Sequence, residues 1–150
     1  MTTPTAQATF GAFMRDHLGP GLRTLGFRGS GRAFAIPDDA HWIQIGIQRS
    51  VHSDAARIEF TINLQVFERR VWDQLRTKLP YLPARPSPNT RYGPSVWQQR
   101  IGLLMPPGDD HWWELTPRTD LANLGSEVID AVLFHVMPAI QRQISAGLRR

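Results

Sequence analysis

The chain has 150 residues, of which 41% are hydrophobic and 20% are charged, a composition that provides the core of one domain. It contains no cysteine, which excludes disulfides, thiolate metal sites and cysteine nucleophiles. The formal net charge is +4, but the basic residues are spread along the sequence, whereas nucleic-acid binders usually cluster them. We expect a single domain over residues 1–150, with a core over about 5–148 and no cofactor.

No stretch approaches the roughly 20 apolar residues of a membrane helix, so we expect no membrane association. Residues 1–9 lack the basic and then apolar pattern of a secretory signal. The expected location is therefore the cytoplasm.

The first predicted element is a helix over residues 5–25, because apolar residues recur there at three- and four-residue steps. Pro20 lies between two glycines and should kink or split this helix, since proline lacks a backbone N–H. Gly26 then suits the C-terminal cap of the helix.

The middle of the chain predicts strands over 32–36, 42–49 and 57–67. The last two alternate apolar and polar side chains, as in a sheet with one packed and one solvated face. The apolar face carries Ile43, Ile45, Ile47, Ile58, Phe60, Ile62, Leu64 and Val66. The polar face carries Trp42, Gln44, Gln48, Glu59, Thr61, Asn63 and Gln65.

A short helix over 71–79 precedes five prolines, which predict a long surface loop over 80–94. Residues 96–105 and 111–115 are predicted to form a hairpin of two strands, with Trp97, Ile101, Leu103 and Met105 facing the core. A long amphipathic helix ends the chain, and Pro138 should kink it.

This order of elements predicts an α+β domain with two layers. An antiparallel sheet of about five strands would pack its apolar face against the N- and C-terminal helices. Short phrases of the chain carry a resemblance to a known family: LRTLGF from Leu22, FTINLQV from Phe60, RIG from Arg100, WWEL from Trp112, and the last helix around Pro138.

These phrases resemble the bacterial family called domain of unknown function 4304, and the resemblance spans about residues 10–144. It implies the same fold, and since the family has no established activity it implies no catalytic residue. Members often carry a cysteine just before the strand that contains Arg100, and this chain has none. The resemblance leaves room for an immunity or accessory role in bacterial conflict systems.

The polar face is the candidate binding surface, because exposed Trp together with Arg is typical of binding hot spots. If Trp113 and Leu115 point inward, Trp112 points outward, and Arg100 faces the same way. The candidate site residues are Trp42, Gln44, Asn63, Gln65, Arg100 and Trp112. We expect a non-catalytic protein-binding module in which Arg100 contacts an acidic partner.

Two features could defeat this interpretation. The loop over 80–94 could fold over the polar face and bury its tryptophans, and a register shift of one residue would exchange the two faces.

Three other functions stay open. A nucleic-acid-binding domain would stack Trp on bases and place Arg49, Arg57 and Arg100 on phosphates. A metal-dependent hydrolase would use the two similar turns 37–42 and 107–112, which carry Asp38, Asp39, His41, Asp109, Asp110 and His111. Turn and strand propensity alone also explains those two turns. Edge strands and exposed Trp could instead serve a homodimer.

Overall fold

A computed structural model describes residues 3–148, and within them the chain forms one six-stranded antiparallel sheet with helices at both ends. The strands are β1 (Arg28–Ser30), β2 (Ala33–Ala35), β3 (His41–Arg49), β4 (Ile58–Glu68), β5 (Gln98–Arg100) and β6 (Trp113–Leu115). The helices are α1 (Ala6–Phe13), α2 (Gly19–Thr24), α3 (Arg69–Lys78), α4 (Leu121–Ala131) and α5 (Met137–Leu148). The predicted α+β class is confirmed.

Both terminal helices run through their prolines by changing helix type. A π-turn over Met14–Leu18 joins α1 to α2, which contains Pro20, and a π-turn over Val132–Val136 joins α4 to α5, which contains Pro138. Proline lacks the N–H for the intrahelical bond, and its ring crowds the carbonyl four residues earlier. The wider π-turn opens the backbone just ahead of each proline. The helical path therefore continues through both prolines instead of breaking there.

The strand order is β1-β2-β3-β4-β5, and β6 also pairs with β4. β5 lies opposite residues 63–65 and β6 lies opposite residues 58–60, so the two short strands follow each other along the same edge of β4. The predicted hairpin between the fourth and fifth strands is therefore wrong. The strand β1 was not expected from the sequence, because arginine, glycine and serine are weak strand formers.

The predicted strand over 96–105 is cut short by a 3-10 turn over Ile101–Leu104. The backbone of residues 109–111 packs against Gly102, and a Cβ there would lie 2.9 Å from the carbonyl carbon of Asp110. The turn leaves Ile101 in the core but rotates Leu103 outward, where it is 48% exposed. Leu103 was expected to face the core, and this expectation is wrong because the period of a strand ends at Arg100.

The core lies between the apolar face of the sheet and the two terminal helices. Every residue predicted for the apolar face of β3 and β4 is buried. The ring of Phe60 lies 5.4 Å from that of Phe10, 5.6 Å from that of Phe13 and 5.6 Å from that of Trp113. Each such buried aromatic side chain contributes about 1.5–3 kcal/mol through burial. We call this the inner face and the opposite one the outer face.

Candidate functional site

The outer face of the sheet is divided into a covered half and an open half. Trp42 lies opposite Phe67, and Gln44 lies opposite Gln65, in the antiparallel register of β3 and β4. Helix α3 and the proline segment, by which we mean residues 80–94, pack over this half of the face. The predicted site residues therefore separate into two groups.

The covered half contains a second hydrophobic cluster, the Trp42 cluster. Phe67, Trp72 and Val96 are its buried members, and Trp42, Val71, Leu75, Leu82 and Tyr92 pack around them. The indole N–H of Trp72 donates to the carbonyls of Pro83 at 3.2 Å and Ala84 at 3.1 Å. The proline segment is thus anchored to α3.

Trp42 belongs to this covering structure. The guanidinium of Arg69 lies 3.9 Å from the centroid of its ring, and that of Arg85 lies 5.8 Å away. The two cations and the neighbouring apolar side chains occupy the approaches to the indole. Trp42 is therefore half-buried in the covered half of the face, packed against two arginines and the Trp42 cluster.

Gln44 and Gln65 form a buried chain of amides with Gln98. The amide of Gln98 donates to Oε1 of Gln65 at 2.8 Å and to the carbonyl of Thr90 at 2.6 Å. Gln65 in turn donates to Gln44, whose own amide donates to the carbonyl of Pro86 at 3.1 Å. Gln44 and Gln65 are 2% and 0% exposed.

These amides satisfy one another and hold the proline segment, as buried polar groups must. The prediction that Gln44 and Gln65 face a partner is wrong, because the proline segment covers them. This arrangement is the alternative in which the loop folds over the polar face.

The open half of the outer face centres on Arg100. Its Nη1 donates to Oδ2 of Asp110 at 2.9 Å, and the indole N–H of Trp112 donates to the same oxygen at 2.9 Å. The guanidinium lies 5.0 Å from the centroid of the Trp112 ring. Arg100, Asp110 and Trp112 therefore form a triangle of mutually fixed groups, with Arg100 and Trp112 both half-buried.

Three amide side chains extend this triangle across β3 and β4. Asn63 Nδ2 donates to Oε1 of Gln48 at 2.8 Å and to Oδ1 of Asn89 at 3.0 Å. The second guanidinium nitrogen of Arg100 lies 3.4 Å from the same oxygen of Gln48. We call these six residues, Gln48, Asn63, Asn89, Arg100, Asp110 and Trp112, the Arg100 cluster. A pocket of about 380 Å³ lies beside them.

The sheet and one close packing contact position the cluster. Asn63 and Arg100 lie opposite each other in the register of β4 and β5. Asp110 and Trp112 belong to the segment between β5 and β6. Because residue 102 is glycine and has no Cβ, this segment can pack directly against the turn that follows Arg100. The hydroxyl of Thr61 donates to the carbonyl of His111 at 2.7 Å and fastens this segment to β4.

The structure thus brings together Asn63, Arg100 and Trp112 among the six predicted site residues. Sequence reasoning missed Asp110 as the partner of Arg100 and Trp112, although both are within ten residues of it. It also missed Asn89, because no local pattern marks the one residue of the proline segment that reaches Asn63.

The two Asp-His turns do not converge on one site. His41 Nδ1 lies 3.1 Å from Oδ2 of Asp38 at the start of β3, whereas His111 lies against Thr61, which pairs near the far end of that strand. Seven residues of strand separate those ends, about 23 Å. Within residues 3–148 no group of three or more His, Asp or Glu residues is placed to hold a metal ion.

The Asp38–His41 pair stabilises the turn before β3. Burial raises the pKa of the Asp38 carboxyl, but hydrogen bonds from the His41 ring and from the backbone N–H groups of His41 and Ala40 outweigh it, so the pKa lies below its usual value. The carboxylate therefore acts as the acceptor that closes this turn.

The arginines expected to contact phosphates are engaged within the protein. Arg57 lies 3.2 Å from Glu59 and 3.7 Å from Glu114, and Arg100 is bound to Asp110. Arg49 lies 5.7 Å from the ring of Phe10.

An antiparallel α+β domain, with its terminal helices on one face of the sheet and a polar cluster on the open half of the other, is the class of protein that these observations define. The family model described as Domain of unknown function (DUF4304) matches residues 18–142. The chain belongs to this family, and the resemblance seen in the sequence is confirmed.

Searches of curated proteins and of solved structures found no match. Among the helices of residues 3–148, none combines the length and apolar character needed to cross a membrane.

Proposed function

We propose that this chain is a non-catalytic protein-binding module that contacts its partner through the Arg100 cluster. The observation that carries the proposal is the triangle of Arg100, Asp110 and Trp112, which holds an arginine and a tryptophan in fixed positions on the open half of the outer face. Arg and Trp are the residue types that contribute most to protein interfaces.

The internal contacts of the cluster favour binding. Each rotamer-rich side chain that is ordered only on binding costs about 0.5–1.5 kcal/mol, and Arg100 and Trp112 are ordered beforehand by Asp110. The amides around them supply directional hydrogen bonds at the rim of the 380 Å³ pocket. The cluster thus resembles a prepared contact surface.

The charge around this pocket favours an acidic partner. Its lining includes Arg91 and Arg100, while its carboxylate, Asp110, is already bound to Arg100. The whole chain carries a formal net charge of +4. An acidic segment would therefore approach with favourable electrostatics, most strongly at low salt.

The proposal is tested by affinity capture with the full-length chain as bait in lysate of the source cells. Arg100→Gln and Trp112→Ala are compared with the wild type and with Arg28→Gln, which changes an exposed arginine on the opposite edge of the sheet. We expect one protein whose recovery falls at least about tenfold in both cluster variants and is unchanged in the control. Equal recovery by all four baits, each with a wild-type circular dichroism spectrum, would contradict the proposal.

A further inference from the structure

The strand β5 forms an open edge of the sheet next to the Arg100 cluster. It pairs with β4 on one side only, and within residues 3–148 no strand covers its other side. An uncovered strand edge presents unpaired backbone N–H and C=O groups, which other chains can extend.

The register shows which backbone groups of β5 point to this edge. Val66 N–H donates to the carbonyl of Trp97 at 3.2 Å, so these two residues form a hydrogen-bonded pair. Such pairs alternate along an antiparallel ladder, which makes Leu64 and Gln99 the next hydrogen-bonded pair. The N–H and C=O of Gln98 and the N–H of Arg100 therefore point away from β4.

Two pockets lie beside β5, and Gln98 and Gln99 line both of them. The pocket of about 380 Å³ extends to Arg100. The pocket of about 620 Å³ extends to Gln143 on α5, which packs on the inner face. A strand added to this edge would point alternate side chains to the Arg100 side and to the Gln143 side.

We propose that an extended segment of the protein partner adds as a strand to the free edge of β5. Every second side chain of that segment lies on the outer side, and at least one of these is Asp or Glu in contact with Arg91 and Arg100. The intervening side chains enter the 620 Å³ pocket. This inference rests on the proposed function and specifies how the partner is held.

Arg91 provides the charge complementarity for this occupant. It is exposed, it lines both pockets, and within the described residues no carboxylate lies within 4.0 Å of it. Together with Arg100 it places two guanidinium groups beside the free edge.

A second copy of this chain fits the edge less well. Antiparallel pairing of two β5 strands about Gln99 would set each Arg100 diagonally across from the other, about 7–8 Å apart. Each Arg100 is compensated by its own Asp110, so the unpaired positive charges that a second copy would bring to this edge are those of the two Arg91 side chains. An acidic segment turns the same two arginines into attractive contacts.

The test begins with selection of random nine-residue peptides, displayed on phage, against the immobilised full-length chain. The tightest peptide is then synthesised and N-methylated at one residue at a time. We expect an acidic residue in its centre and losses of roughly tenfold or more in affinity at alternate residues only, because only every second N–H faces β5. Arg91→Gln and Arg100→Gln should each weaken binding roughly tenfold, and Arg28→Gln should leave it unchanged.

Amide hydrogen exchange locates the contact. On addition of the peptide, the N–H groups of Gln98 and Arg100 should become protected, while those of β1 at the opposite edge should not. Uniform losses along the N-methyl scan, failure to select any peptide, or no protection at Gln98 and Arg100 would overturn the inference. Sedimentation as a dimer with both amides already protected would also overturn it, since the edge would then be occupied by a second copy.

The two proposals fail in different ways. Arg100→Gln and Trp112→Ala could abolish recovery of the partner while the amides of Gln98 and Arg100 still exchange freely when the partner is bound. The Arg100 cluster would then bind protein, but not by strand addition. If the selected peptide protects this edge but the partner is recovered equally by the cluster variants and the wild type, strand addition is supported and the assignment of the Arg100 cluster is refuted.

Discussion

Trp72→Phe tests whether the proline segment is a packed cover over the outer face. The indole N–H of Trp72 is shared between the carbonyls of Pro83 and Ala84, and phenylalanine keeps an aromatic ring but removes that donor. Pro83 and Ala84 are exposed, so their carbonyls can bond to water instead, and loss of the shared bond costs about 0.5–1.5 kcal/mol. The smaller ring also leaves a gap beside Tyr92, whose ring centroid lies 4.8 Å away, and adds about 1 kcal/mol. The free energy of unfolding should therefore fall by about 1.5–2.5 kcal/mol.

Urea denaturation followed by circular dichroism measures this loss, and thermal unfolding should show a Tm lower by roughly 5–10 °C. Hydrogen exchange should accelerate in residues 83–94 and change little in β3. Trp112→Phe is the matched control and should cost less than about 1 kcal/mol, because its indole lies on the open half of the face. A Trp72→Phe protein within about 0.5 kcal/mol of the wild type, with unchanged exchange in the proline segment, would refute this reasoning.

Three further results are expected. Gly46→Ala should destabilise the fold by about 1–3 kcal/mol in urea denaturation, since the new Cβ would lie 2.6 Å from Cγ of Asn89. In an Asn89→Ala background the same change should cost less than about 0.5 kcal/mol. Equal costs in both backgrounds would count against this contact. Asp38→Asn should lower stability at pH 7 by up to about 1 kcal/mol, because the carboxyl is about a third exposed to water. The lowered pKa of Asp38 stabilises the fold above the usual carboxyl pKa, and this effect is lost as the pH falls through the folded pKa. The two proteins should therefore converge in stability once the pH is below the folded pKa of Asp38, and a difference that stays constant with pH would contradict the assignment. Acrylamide quenching of tryptophan emission should decrease more in Trp112→Phe than in Trp72→Phe, because Trp72 is fully buried; the reverse order would place Trp112 in a covered site.

The alternation of β3 and β4 could be predicted because every second residue meets the same core. The inner face follows from the isoleucines of 43–47 and the apolar residues of 58–66, and all of them are buried. The helical periods at the two ends were also sufficient to predict the terminal helices. These elements are determined locally, since each forms from the spacing of its own apolar residues and needs one apolar layer to pack against.

Contacts between distant segments decided the parts that could not be predicted. Alternation with apolar residues predicts that Gln44 and Gln65 face solvent. They are instead covered by the proline segment, whose Pro86 carbonyl, 42 residues from Gln44, accepts a hydrogen bond from the Gln44 amide. Residues 101–105 continue the pattern of a strand, yet the packing of residues 109–111 on Gly102 turns the chain away. Tertiary packing overrides local propensity in both cases.

The same long-range contacts divide the candidate site. Asn63 and Arg100 could be placed on one face from the alternation within their own strands, and Trp112 from the phase of the strand that follows it. The sequence alone could not show that Trp42 would be enclosed by Arg69 and Arg85, since Arg85 belongs to the proline segment.

The segment between β5 and β6 supplies side chains to the open half of the outer face but does not determine how the strands pair. Each short strand is held to β4 by its own ladder, so the strands stay in register whatever joins them. The exposed residues 106, 107, 109 and 110 of this segment can therefore change without shifting a residue of the core. Because Asp110 and Trp112 lie in this joining segment, the side chains beside Arg100 can vary while the sheet stays the same.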